Sequence, residues 1–177
     1  MVGSVCGCGK DLPPKVDRGV RIKNLLGAVY PERQRRLLAK WCPDETFDIV
    51  IKCWTFANRK SKKFEHCGEH TGLIGSVTKS TEWRKLLPYL RRKVEELWKH
   101  QERVTVVCVD SHGRHRSVAV AAILKHLYEQ KGFKSTGPHH LDKDNWPKRK
   151  LCHTCMECMP NEAKRKMYDT LEAACEW

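Results

Sequence analysis

Eight consecutive residues, Asp110-Ser111-His112-Gly113-Arg114-His115-Arg116-Ser117, bring together an acid, two imidazoles, two guanidiniums and two hydroxyls. Such a set binds anions when its backbone is held in the right place. The apolar run Val104–Val109 precedes it and predicts a buried β-strand, and the run Val118–Leu124 follows it and predicts a buried helix. Strand, polar loop and helix start form an anion cradle, because the first helical turn has unpaired N–H groups at the positive end of the macrodipole. Gly113 can take a positive φ, and Arg114 and Arg116 can each offer two donors to an oxyanion. The expected ligand-binding set is Lys52, Asp110, Ser111, His112, Gly113, Arg114, His115, Arg116 and Ser117.

The spacing of Asp110–Ser117 resembles the phosphate loop of protein tyrosine phosphatases, C-x-x-G-x-x-R-S, with Asp110 at the position of the nucleophilic cysteine. A carboxylate there repels a phosphate dianion unless it is protonated or paired, which argues against thiol-phosphatase chemistry. The stretch Val104–Gly132 more closely resembles the RapZ C-terminal-domain family. Gly113-Arg114-His115-Arg116-Ser117-Val118 is similar to the end of its T-V-A-I-G-C-T-G-G-K-H-R-S-V segment. Phe47–Asn58 and His70-Thr71-Gly72 resemble its first strand and following T-G element, and Gly132–Leu141 resembles its next strand. The resemblance covers residues 45–142 and implies a small α/β domain that binds a phosphorylated sugar and, in bacterial regulators, small RNA. Two positions depart from the family pattern. Asp110 replaces the loop cysteine and Lys52 the acid of the first strand, so these two side chains are expected to pair at the mouth of the site.

A second chemistry-bearing group lies near the C-terminus. Cys152, Cys155 and Cys158 stand at two-residue gaps, the spacing with which thiolates grip one tetrahedral zinc. The fourth ligand is expected from the Cys6-Gly7-Cys8-Gly9 knuckle, from His139 or His140, or from His153. The segment from Pro138 to Pro160 has no apolar periodicity and needs a staple, so the zinc role would be structural. An iron–sulfur cluster or a redox dithiol is the alternative, although the ferredoxin pattern uses a further nearby cysteine. The five cysteines scattered singly, Cys42, Cys53, Cys67, Cys108 and Cys175, read as packed thiols.

The elements that must position these groups are only partly periodic. Residues 1–19 predict a flexible arm, residues 20–141 the α/β domain, and residues 142–177 a Cys-rich segment with a C-terminal helix. Val20–Tyr30 and Glu32–Trp41 predict two short helices split by Pro31, and Phe47–Trp54 predicts an interior strand covered on both faces. Ala57–Lys79 predicts a long basic connection. Trp83, Leu86, Leu87, Leu90, Val94, Leu97 and Trp98 recur at helical spacing after a Ser80 or Thr81 cap, with Pro88 expected to bend or restart the helix. Gly132 ends the helix after the loop, Phe133–Thr136 is a short strand, and Asn161–Glu176 a final helix. This order predicts a three-layer, mainly parallel α/β sheet with helices on both faces and a metal-stapled appendage. Ligands of such sheets bind at strand C-terminal ends, where the loop lies.

Lys and Arg outnumber Asp and Glu by 34 to 21 in 177 residues, a net charge of +13. That excess suits a polyanion, and the basic runs Arg33–Arg36, Arg59–Lys63 and Lys148–Lys150 suit RNA phosphates. No aromatic stacking platform accompanies those runs, so low sequence selectivity is expected. No segment has the length of a membrane span, and Met1–Asp11 lacks a secretion pattern, which predicts an intracellular, cytoplasmic protein with an organelle left open. The leading expectation is a non-enzymatic domain that recognises a phosphorylated metabolite, such as a sugar phosphate, or RNA. The runner-up is a phosphatase- or phosphotransferase-like enzyme with Asp110 as nucleophile or His115 as general acid/base. A third class is a basic structural subunit of an RNA–protein assembly.

Overall fold

The computed structural model of the chain describes residues 19–26, 47–56, 66–110, 114–140 and 161–174. Four strands form a parallel sheet: β1 (Gly19–Leu26), β2 (Ile49–Lys52), β3 (Arg103–Asp110) and β4 (Lys134–His140), in the order β2-β3-β1-β4. Among the described residues four helices accompany them: α1 (Thr71–Thr78), α2 (Thr81–Leu97), α3 (Arg116–Gln130) and α4 (Asn161–Ala174). The protein is therefore of the α/β class with a small parallel sheet.

Strand β3 is the spine of the domain. Its residues from Val104 to Asp110 are all buried, because successive side chains point to opposite faces and neither face meets solvent. Val104, Val106 and Cys108 join the main core with Ile49, Ile51, Ala119, Ile123, Leu124 and Leu127. Strand β1 pairs with β3 on one side and β4 on the other. The expected helix over Val20–Tyr30 is corrected at this point. Val20-Arg21-Ile22-Lys23 alternates apolar and charged residues at the period of a strand, and two parallel neighbours outweigh the weaker helical pattern. The helix expected over Glu32–Trp41 lies outside the described residues.

Strand β2 is also not the interior strand expected. It lies at the sheet edge, and its burial alternates, with Ile49 and Ile51 inside and Val50 and Lys52 exposed. Strand β4 runs further than Phe133–Thr136. Its register against β1 shifts between Arg21 and Lys23, where Gly137 takes φ +104° and lets the strand bulge past Pro138. Both proline and bulge are tolerated because β4 is the opposite edge.

Helix α2 has the predicted apolar face. Trp83, Leu87, Leu90, Val94 and the C-cap Trp98 are buried, and Ser80 caps the helix by accepting from Trp83 N at 3.1 Å. Such a cap contributes about 1 kcal/mol. The helix continues through Pro88 without a restart; Pro88 and Arg84 are both exposed, so the carbonyl that loses its donor is on the solvent side. Helix α3 is buried almost all round, from Ser117 and Val118 to Tyr128, and packs against the sheet, α1 and α4. The connection expected over Ala57–Lys79 contains α1, whose Leu73, Ile74 and Val77 are buried. No helix among the described residues is long and apolar enough to cross a membrane.

Candidate functional site

The C-terminal end of β3 delivers Asp110 to the start of α3, where it meets Arg116. The guanidinium grips the carboxylate with two bonds, Nη2 to Oδ1 at 2.8 Å and Nε to Oδ2 at 3.3 Å. Its Nη1 donates to the Trp54 carbonyl at 3.1 Å and the Phe56 carbonyl at 3.2 Å, both at the end of the 3-10 turn Cys53–Thr55 that follows β2. These bonds occupy four of the five N–H groups of an arginine. Arg116 is therefore a strut that ties β2, β3 and α3 together. The Asp110 side chain is only 2% exposed and the Arg116 side chain 15%, so the pair is shielded from solvent. Asp110 pairs with Arg116, not with Lys52 as expected. Lys52 ends the edge strand opposite Val109, exposed and at the same end of the sheet.

A tight turn seats against the start of α3. Gly68 N donates to the Arg114 carbonyl at 2.7 Å. A Cβ at Gly68 would overlap the His115 carbonyl and lie 2.5 Å from Ala119 N and from Val118 Cβ, so only glycine allows this approach. Beside it, His70 caps α1 by accepting at Nδ1 from Gly72 N at 3.1 Å, and the His66 and His70 rings lie 4.2 Å apart. Glu69 approaches the edge strand, with Oε1 3.9 Å from His140 Nε2. Sequence reasoning missed this turn as part of the site. The glycine directly before the Glu69-His70-Thr71 helix start was the available signal.

His115 holds the N-cap of α3 with φ −110° and ψ −92° and gives no side-chain cap bond, and no acid stands in the first turn. The Ser117 hydroxyl is fully buried and has no hydrogen-bond partner among the described residues. Arg114 Nε donates to His115 Nε2 at 3.3 Å. His115 itself is buried. A helix N-terminus, a buried hydroxyl without a partner among the described residues and an arginine alongside can accept an oxyanion.

The predicted set is thus partly assembled. Asp110, Arg114, His115, Arg116 and Ser117 converge at one end of the sheet, Lys52 ends the edge strand on that side, and Ser111, His112 and Gly113 lie outside the described residues. The zinc set is not assembled among the described residues: Cys6, Cys8, Cys152, Cys155, Cys158 and His153 lie outside them. His139 is exposed on β4 and His140 faces Glu69. No group of three or more His, Cys, Asp or Glu among the described residues is arranged to hold a metal ion.

Cys53, Cys67 and Cys108 are buried and form no disulfide among the described residues, as expected of packed cysteines. Burial pushes the Cys53 thiol well up, and Cys108 beside it adds to the rise, so Cys53 is held in its unreactive form. Neither a protein-family model nor a curated protein matches this chain.

Proposed function

We propose that the chain is a non-enzymatic phosphate-recognising domain, similar to the RapZ C-terminal domain, whose start of α3 takes the phosphate of a phosphorylated metabolite, a sugar phosphate among them, or of RNA. The observation that carries this is the first turn of α3, with no side-chain cap, the buried Ser117 hydroxyl lacking a partner among the described residues, and Arg114 alongside. Arg114 and backbone N–H groups make the direct contacts, and Arg116 fixes the loop from behind. The strut also counts against the enzymatic alternative. A carboxylate buried in a bidentate pair is a poor nucleophile, because attack would require breaking that pair in a shielded site.

The finer architecture belongs to the same proposal. Val107 and Val109 are buried on the face of β3 that alternates with the main core face, as the middle of a three-layer sandwich requires. We assign a structural zinc to Cys152, Cys155 and Cys158, with a fourth ligand from Cys6, Cys8, His139 or His140, on thiol spacing alone. Reduced, buried Cys53, Cys67 and Cys108 fit an intracellular setting.

Calorimetry with inorganic phosphate tests the central claim. Arg114→Ala should lose about 1.5–3 kcal/mol of binding, the size of a hydrogen bond from a charged donor. Unchanged affinity in that variant, or no phosphate binding by the native chain, overturns it. On a short RNA hairpin the affinity should fall with salt by about 0.9 log units per log unit of salt for each duplex phosphate contacted. A flat salt dependence would leave a metabolite as the ligand.

A further inference from the structure

Helix α2 divides its residues between two environments. Trp83, Leu87, Leu90 and Val94 are buried, so its apolar face belongs to the core. The outer face carries Arg84, Lys85, Pro88, Tyr89 and Arg92, all exposed. Lys85 stands four residues before Tyr89 and Arg92 three after it, so both cations neighbour the ring, with about 5–6 Å between Cβ atoms. Arg84, Pro88 and Arg92 form a second row alongside, about 12 Å long at a rise of about 1.5 Å per residue. None of these residues belongs to the phosphate site at the start of α3.

Charge on that face is uneven. Glu95 pairs with Arg91 at 3.1 Å and Glu96 with Lys93 at 3.2 Å, so two of the three acids of α2 are already matched. The third, Glu82, stands in the first turn, where the helix macrodipole favours it. Arg84, Lys85 and Arg92 make no side-chain hydrogen bond or ion pair among the described residues. Tyr89 is 47% exposed, and its ring meets no other aromatic ring among the described residues. A single exposed tyrosine is ordinary. Flanked by cations that no acid answers, it offers a stacking face and phosphate partners together.

We propose that the outer face of α2 binds single-stranded RNA: a base stacks on Tyr89, and the neighbouring phosphates meet Lys85, Arg92 and Arg84. Complementarity of charge carries the choice of partner, on a chain of net charge +13. A lipid surface fits poorly, because an interfacial helix buries its apolar face in the bilayer and that face of α2 is already in the core. An acidic protein would answer the cations, but the centre of a protein interface is depleted of charge, whereas here charges surround a single ring. A duplex hides the faces of its bases in the stack, so the open ring favours an unpaired strand. Phosphate contacts and stacking carry little sequence information, which makes the surface unselective. The assignment is independent of phosphate binding at the start of α3. It also supplies the stacking platform that the basic runs in the sequence lack.

Fluorescence anisotropy on the full chain, with a short labelled single-stranded RNA, tests this surface. Tyr89→Ala should weaken binding about tenfold, the loss of one stacked base, and Tyr89→Phe should keep it. Arg84, Lys85 and Arg92 changed together to Gln should flatten the salt dependence by about 0.7 log units per log unit of salt for each phosphate released. All four positions are exposed, and an unchanged melting temperature in each variant separates loss of the surface from loss of the fold. Inorganic phosphate binding should be the same in native protein and in the triple variant, so failure at one site does not count at the other. RNA affinity unaltered by Tyr89→Ala, or a salt dependence unaltered in the triple variant, overturns the assignment. So does binding of a matching duplex as tight as that of the single strand. Tighter binding of polyglutamate or of phosphatidylserine vesicles than of RNA overturns it in favour of an acidic protein or a membrane.

Discussion

The two ends of α3 carry arginine in opposite circumstances. At its N-terminal end Arg116 is 15% exposed at the side chain and spends its donors on Asp110 and two backbone carbonyls. Near its C-terminal end Arg91 of α2, 63% exposed, sits in a surface pair with Glu95. Of the two arginines of the motif, Arg116 holds structure, whereas Arg91, outside the motif, sits in an exposed surface pair. A cation in a phosphate-loop pattern is thus no evidence by itself of a phosphate contact. What matters is how many of its N–H groups the fold has already used.

Breaking each pair measures the contrast directly. Asp110→Ala leaves a shielded guanidinium holding only the Trp54 and Phe56 carbonyls, and should cost about 3 kcal/mol, at the lower end for a broken buried pair because Arg116 keeps some solvent. Glu95→Ala removes an exposed i,i+4 partner and should cost no more than about 0.5 kcal/mol. Urea unfolding of both variants reads the difference. Near-equal losses would place the Asp110–Arg116 pair among ordinary surface pairs and remove its role as a strut.

Each end of α3 also has its glycine, for different reasons. Gly68 is glycine for want of room, since a Cβ would meet the backbone of His115 and Ala119, which cannot swing aside. Gly132 is glycine for want of a conformation, with φ +81° and nothing within 4 Å of an added Cβ. Gly68→Ala should cost about 2 kcal/mol, within the range for overpacking, and should speed amide exchange at Gly68 and Ala119. Gly132→Ala should cost about 1 kcal/mol from the left-handed backbone alone and leave exchange at the loop unchanged. If both substitutions loosen the same amides, the two ends are not separate structures.

The sequence made the strand, loop and helix from Val104 to Gln130 legible because a strand-length apolar run and a longer helical run adjoin one polar loop. Strand β1 was misread because Val20, Ile22, Leu25 and Leu26 satisfy both periods over so short a stretch, and only pairing with β3 and β4 decides between them. Helix α1 was hidden by Gly72 and Gly75, which lower its propensity, while the His70 cap and burial of Leu73, Ile74 and Val77 restore it. The Asp110–Arg116 pair was within reach of reasoning, since the loop brings those residues close, but Lys52 was the partner expected across the strands. The packing of Trp98 against Tyr128 and Phe133 was not legible at all. Trp98 read as core of one helix, and its meeting with Tyr128 and Phe133 depends on how α2 lies against the end of α3.

The smallest expected effect concerns the middle of α3, where α4 is fastened between the two ends. His126 Nε2 lies 3.1 Å from Glu172 Oε1, and the Tyr168 ring stands edge-on to the imidazole at 5.1 Å. Hydrogen bonds from Gln130 first, then from Tyr168 and His126, hold the Glu172 carboxyl below its ordinary value. A carboxyl depressed in the folded state stabilises the fold above its unfolded value, about 4.3 for glutamate, and loses that contribution as pH falls through the lower folded value. Glu172 is at the surface, so the gain is small and salt weakens it further. The melting temperature of native protein should therefore exceed that of Glu172→Gln at pH 6 by a margin that shrinks as the pH is taken below 4. A margin unchanged by acid would mean that the carboxylate charge does not fasten α4.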